Sequence, residues 1–280
     1  MKRLIYLLLA CGMTSLFHSC EQEEETESLL VVEATIAPGE FPLVILTRSM
    51  PLNELYRPLD DLTQYIERWA TVTLSDGERE WVLMGRSDKT VFPPYCYTTF
   101  EMRGEAGKTY TLRVSCLDGT TAEATAYVPE PAVLDSLTLE PSDLSDTLRQ
   151  VYAYIHDDAQ HPSCYKLMAR TAGSPYGMLS CMLGITNSET LPRDGKMAVN
   201  RGRLNLEKNY NKFFAVGDTV DVMLARITPE AYAFWRDYED MSSLSRNPIF
   251  PATGNLHSNV KGGLGYFFGY GSTVRRIVVE

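Results

Sequence analysis

An all-β fold in two parts is predicted by three features of this sequence. Short runs rich in β-branched and aliphatic residues recur between turn signals, as in LLVVEATI (Leu29 to Ile36) and PLVILTRS (Pro42 to Ser49). Two Asp-Gly pairs, Asp76-Gly77 and Asp118-Gly119, each sit between alternating segments, the strongest short-range hairpin signal. One stretch, near Pro229, carries a convincing helical period.

Taken in order, LLVVEATI and PLVILTRS open the chain's β-structure. Leu62, Tyr65, Ile66 and Trp69 then have the spacing of a turn or two of helix before ATVTL resumes as a strand. In KTYTLRVSC, Tyr110, Leu112, Val114 and Cys116 share one face and Thr111, Arg113 and Ser115 the other, as a half-buried antiparallel strand requires. GKTYTL resembles the start of a late strand in an immunoglobulin-like sandwich, where a tyrosine tucks back on its own corner. Residues 29–130 are therefore expected to form an immunoglobulin-like β-sandwich. Pro129 and Pro131 mark the boundary.

The second part, residues 131–280, is expected to be β-rich and sandwich-like with one docked helix. SLTLEP, QVYAYIHD and CYKLMART supply strands, and VGDTVDVMLARI turns Val220, Val222 and Leu224 inward, with Asp221 and Arg226 less constrained. Thr228 is placed to cap the helix, Pro229 suits its first position and Glu230 complements its dipole. Ala231, Phe234, Trp235 and Tyr238 recur at helical spacing, so one face docks on the sheet.

The N-terminus reads differently. Lys2 and Arg3 precede an apolar run from Leu4 to Phe17, broken by Gly12 and Thr14 and too short for a membrane span. Residues 1–19 are read as a signal peptide. Ser19-Cys20 resembles a bacterial lipoprotein signal, in which the thiol receives a diacylglycerol and becomes the first mature residue. Lipidation is expected at Cys20, with Cys11 the competing site. Residues 20–28, with Glu21, Glu23, Glu24, Glu25 and Glu27, read as an acidic tether, since dense like charge cannot bury enough surface to fold. Acidic residues after an acylated cysteine also resemble a surface-export signal of Bacteroidota lipoproteins. The expected location is the outer membrane, lipid-anchored and facing the cell surface.

Removal of residues 1–19 leaves 24 basic against 36 acidic side chains, a net charge of −12. Such a surface repels phosphate backbones, and nucleic acid is excluded as a partner. Cys96, Cys116, Cys164 and Cys181 remain beyond Cys20, without metal-type spacing. Export permits disulfides, and a Cys164–Cys181 bridge is expected, worth roughly 3 kcal/mol in the chain-entropy model. Cys96–Cys116 is the competing pair. His156, Asp157, Asp158 and His161 are the weak metal candidates, more simply read as a solvated turn. No HExxH, GxSxG or P-loop occurs, and no cofactor or catalytic residue is expected.

The ending, NVKGGLGYFFGYGST (Asn259 to Thr273), sets five glycines among four aromatics. It is expected to form a structural β segment of the second part. Alternation puts Tyr266, Phe268 and Tyr270 on one face, toward the core, and Phe267 on the other, toward the helix or a partner protein. With the preceding TPEAYAFW and GDTVDVML, this ending resembles the domain-of-unknown-function family 4249 of Bacteroidota lipoproteins. PLVILTRSMP, ATVTLSDG, the segment from Gly107 to Pro129, and HDDAQHPSCYKL agree in order. The family tends to have a tyrosine pair where Cys164 replaces the first member and Tyr165 remains. The resemblance implies an anchored envelope protein, often associated with TonB-dependent outer-membrane transporters, and supplies no activity or catalytic residues. The expected function is a noncatalytic lipoprotein that assists such a transporter or holds a ligand. A structural or adhesive surface subunit is the alternative, and an unrecognised hydrolase a third reading.

Overall fold

The computed structural model describes residues 28–49, 63–158, 160–175, 177–202, 211–244 and 256–280. Sixteen strands and one helix fall within them, so the molecule is β-rich with several sheets. Seven strands come first: β1 (Leu30–Ile36), β2 (Leu43–Arg48), β3 (Ala70–Ser75), β4 (Glu80–Ser87), β5 (Tyr95–Thr98), β6 (Thr109–Cys116) and β7 (Thr121–Tyr127). Both Asp-Gly turns close hairpins as expected. Asp76 Oδ1 accepts the Arg79 amide at 2.9 Å and Asp118 Oδ1 that of Thr120 at 2.8 Å, with Gly77 and Gly119 at positive φ. Where a helical turn or two was expected, Thr63–Tyr65 form a single tight turn.

With β15 (Leu264–Gly269) from late in the chain, these seven build an eight-stranded sheet in the order β15-β1-β2-β5-β4-β3-β6-β7. β4 pairs with β3 through Glu80–Leu83 and with β5 through Met84–Ser87, so the sheet folds over there. Its two halves consequently share one core, with Val32, Leu46, Val72, Leu74, Leu112 and Val114 fully or almost fully buried. Tyr110 lies in that core, and its hydroxyl accepts the Glu105 amide at 3.1 Å, tying the corner before β6.

The second half runs β8 (Val133–Pro141), β9 (Leu148–His156), β10 (Cys164–Thr171), β11 (Leu179–Asn187), β12 (Lys196–Val199), β13 (Phe214–Ala215), β14 (Thr219–Ile227), α1 (Pro229–Leu244), β15 (Leu264–Gly269) and β16 (Gly271–Val278). One sheet has the order β11-β10-β14-β16; in the other, β9 pairs with β8, β12 and β13. Tyr165, Leu167, Val220, Val222 and Leu224 fill the core between these sheets. The opposite face of β10 and β14 carries Met168, Ala225 and Ile227 against α1. The cap is as expected: the Ala231 amide donates to Thr228 Oγ1 at 3.2 Å. Ala231, Phe234 and Trp235 are buried on the docked face.

The Gly-aromatic ending is a β segment, but its partner differs from the expectation. β15 pairs in parallel with β1, placing Phe267 beside Ala34, and so belongs to the first sheet. Glycine makes that approach possible. Gly265 has φ of 106°, and a Cβ there would lie 2.0 Å from the Val32 carbonyl oxygen. Both faces of β15 are covered as a result. Phe267 is 0% exposed in the first core, while Tyr266 and Phe268 pack on Phe234 of α1, with ring centroids 5.0 and 5.4 Å away. The alternation holds, but the faces are exchanged: Phe267 meets the first core and not the helix or a partner, because β15 joins the first sheet and turns Tyr266 and Phe268 to α1.

Candidate functional site

Two sites emerge from this packing: a buried ionisable cluster beneath α1, and a hollow where the first sheet closes. Sequence reasoning missed the first. Lys166 lies on β10, 2% exposed, between Tyr165 and Leu167 of the inter-sheet core. Strand alternation turns it the other way, toward α1. Its Nζ sits 2.9 Å from the Trp235 ring centroid and donates to the Tyr270 hydroxyl at 3.5 Å. The ring faces supply the electrostatic attraction that water would otherwise give an ammonium. Burial nevertheless drives its pKa well below the ordinary lysine range, opposed by the charge of Glu239. The available signal was a lone lysine in an apolar strand, CYKLM, in a chain with an aromatic helix.

Glu239 reaches the same space from α1. Burial pushes its carboxyl up to about 7, against the lowering effects of the Gly184 amide, Arg236 and Lys166. Its Oε1 is buried with no hydrogen-bond partner among the described residues, which favours the protonated form. Glu33 on β1 is likewise raised by burial, offset by a hydrogen bond with Tyr266. A carboxyl raised in the fold contributes stability below its unfolded value near 4.5, and that contribution is lost as pH rises through about 7. Glu239→Gln should therefore stabilise the protein at pH 8, by on the order of 1 kcal/mol, and leave it nearly unchanged at pH 4. Denaturant melts at both pH values check this. With Lys166 almost wholly enclosed, the cluster's chemistry is that of an internal pin between α1, β10 and β15.

The second site is a seam. β7 and β15, the two ends of the first sheet, face one another, and Glu123 pairs with Lys261 through amide–carbonyl bonds of 2.9 and 2.8 Å. Further along, the side chain of Asn259 does what a strand would do. Its Oδ1 accepts the Phe267 amide at 2.9 Å, and its Nδ2 donates to the Phe267 carbonyl at 2.9 Å and the Thr125 carbonyl at 3.3 Å. At the far end Gly269 lies so close to β7 that a Cβ would meet the Tyr127 oxygen at 2.2 Å. Between these points lies a hollow of about 390 Å3, lined by Glu123, Thr125, Thr228, Glu230, Asn259 and Lys261 among others. A second, of about 460 Å3, adjoins it across Glu123 and Lys261 and extends over Thr71, Thr73 and Arg113. The first offers hydroxyls, the Asn259 amide and charges of each sign, and the second hydroxyls and charges of each sign.

Of the candidate residues read from sequence, Phe267 lines the seam hollow, while the cysteines and the metal candidates do not come together at either site. Cys20, Cys11 and the acidic tether as far as Glu27 lie outside the described residues. Cys164 and Cys181 are unpaired, and so are Cys96 and Cys116. Cys164 stands opposite Asn187 on β11 and packs toward α1, whereas Cys181 is buried in the inter-sheet core, where burial raises its thiol to about 12. The expected Cys164–Cys181 bridge is absent because the two thiols serve different faces of one sheet. Cys96 stands opposite Arg86 and Cys116 opposite Ala70, in separate strand pairs. The metal candidates are dispersed: His161 Nδ1 meets Asp158 Oδ2 at 2.7 Å, while His156 lies 3.7 Å from Asp135. Asp157 instead accepts the Tyr165 hydroxyl at 2.7 Å and the Ser188 hydroxyl at 2.9 Å, so the resemblance-bearing aspartate and tyrosine meet as a structural tie. No group of three or more His, Cys, Asp or Glu side chains is placed to hold a metal among the described residues.

A family profile, Domain of unknown function (DUF4249), matches residues 19–276. The chain belongs to the DUF4249 family. No curated protein matches it. The DUF4249 match takes in every element from β1 through β15 and starts at Ser19, next to Cys20. No helix among the described residues is long and apolar enough to cross a membrane.

Proposed function

We propose that this DUF4249 protein is a noncatalytic, surface-exposed lipoprotein of the outer membrane. It is anchored through Cys20 and either holds a small polar ligand or assists a TonB-dependent transporter. The observation that carries this reading is the N-terminal arrangement: a charged and then apolar leader, Ser19-Cys20, and an acidic run before β1. That the family match starts at residue 19 supports it. The seam hollow around Asn259 and Lys261 is the place for a ligand. For the first sheet, the Tyr110 corner bond supports the immunoglobulin-like reading.

Affinity capture of the intact lipoprotein from detergent-solubilised envelopes tests the assignment. Co-purification of a TonB-dependent transporter in stoichiometric amount supports the accessory role. Recovery of self-polymers alone would replace it with a structural subunit.

A further inference from the structure

The ends of several strands of the first sheet meet at one mouth of the fold, and that mouth is apolar. Leu29 precedes β1, and Leu264 opens β15 beside Val31. Trp69 precedes β3, and Leu117 follows β6, where Ala70 pairs with Cys116. All four side chains are exposed, Trp69 to 74% and Leu117 to 85%. One guanidinium gathers these ends. Arg48, opposite Leu30, donates to Glu67 and to Asp118, each at 2.8 Å. Glu67 in turn accepts the Trp69 amide at 3.1 Å, and Asp118 adjoins Leu117. The charges at the rim thus satisfy one another, while the apolar side chains face outward. Clustered exposed apolar groups of this kind mark contact surfaces.

Where the chain enters the fold indicates what covers them. Leu29 is fixed at this same mouth: its amide donates to Ser49 Oγ at 2.9 Å and its carbonyl accepts the Ser49 amide at 2.8 Å. Cys20 lies eight residues before Ser28, a contour of at most about 29 Å. An acyl chain on Cys20 therefore keeps this mouth, rather than the opposite end of the sheet, nearest the bilayer. Tryptophan is enriched at the boundary between headgroups and hydrocarbon, where its ring is half solvated, and leucine partitions beyond it.

We propose that the mouth bearing Leu29, Trp69, Leu117 and Leu264 seats on the lipid surface that holds the anchor, with Trp69 at headgroup level. This rests on anchoring at Cys20, and the test separates the two. The full-length acylated protein is reconstituted into phosphatidylethanolamine–phosphatidylglycerol vesicles, with or without lipid brominated on its acyl chains. Flotation reads the anchor, and quenching of tryptophan emission reads the rim. Trp81 packs against the first core and Trp235 is buried under α1, so Trp69 is the exposed one of three. Bromolipid should remove about a third of the emission, one tryptophan's share of three. Trp69→Phe should abolish that loss, Leu117→Glu should at least halve it, and all three proteins should float alike. Flotation with equal quenching in wild type and Trp69→Phe would overturn the lipid contact and leave the anchor standing. Failure to float would overturn both. Flotation without quenching would also overturn the lipid contact, and crosslinks in whole envelopes from a photoreactive label at Leu117→Cys to another protein would then assign the mouth to a protein partner.

Discussion

Phe267→Ala is expected to lower the unfolding free energy by about 3–5 kcal/mol, the range for a fully buried phenylalanine. The ring is 0% exposed and lies in the first core. Its strand is held on both sides, by β1 along its length and by Asn259 across the seam, so the backbone has little freedom to close the cavity. Phe267→Leu keeps much of the volume and should cost less than about half as much. The midpoint of urea unfolding should fall while the slope stays constant. A loss below about 1 kcal/mol for the alanine variant would show that the ring is not packed as described. Phe268, buried against α1, should show a comparable loss on truncation, since both faces of β15 are interior.

The second large effect is expected at Gly265. A valine there would hold a β-branched residue at φ of 106° and drive its Cβ into the Val32 carbonyl, 2.0 Å away. Val32 cannot retreat without breaking its register with Leu46 on the other side of β1. Gly265→Val should therefore prevent accumulation of folded protein, and Gly265→Ala should cost about 3 kcal/mol or more, combining backbone strain with overlap. Gly77→Ala is the contrast. It shares a positive φ, 91°, but sits in a turn with nothing within 4 Å, so only the conformational penalty, about 1 kcal/mol, applies. Thermal melts of the two alanine variants compare them directly. Equal losses would mean that the close approach of β15 to β1 is not what the glycine serves.

Local features were legible in the sequence, and the long-range ones were not. The Asp-Gly hairpins, the Thr228 cap and the inward face of Tyr110, Leu112, Val114 and Cys116 depend on neighbours a few residues apart, and they form as the pattern predicts. The pairing of β15 with β1 joins residues more than two hundred positions apart, which no periodicity encodes. Alternation at Tyr266, Phe267 and Phe268 was readable, but which face meets which core depends on that pairing. β10 and β14 misled for a related reason: strands covered on both faces lose the alternation of a half-exposed one. Lys166 thus draws no notice in the sequence, and Asp221 reads as less constrained. Asp221 is 3% exposed and bonds Arg170 at 2.7 Å and Arg276 at 2.6 Å, which hold its carboxyl down to about 2. The disulfide expectation failed on the same point, since spacing along the chain does not say on which face of a sheet a thiol lies.

Anchoring at Cys20 stands or falls with the first residue of the mature chain. Mass spectrometry of the N-terminal peptide, released from protein isolated with the envelope, reads it directly. The expected peptide begins at Cys20 and carries a diacylglycerol on its sulfur, and Cys20→Ala protein should move into the soluble fraction. An unmodified N-terminus, or acylation at Cys11 with Cys20 a free thiol, would contradict it.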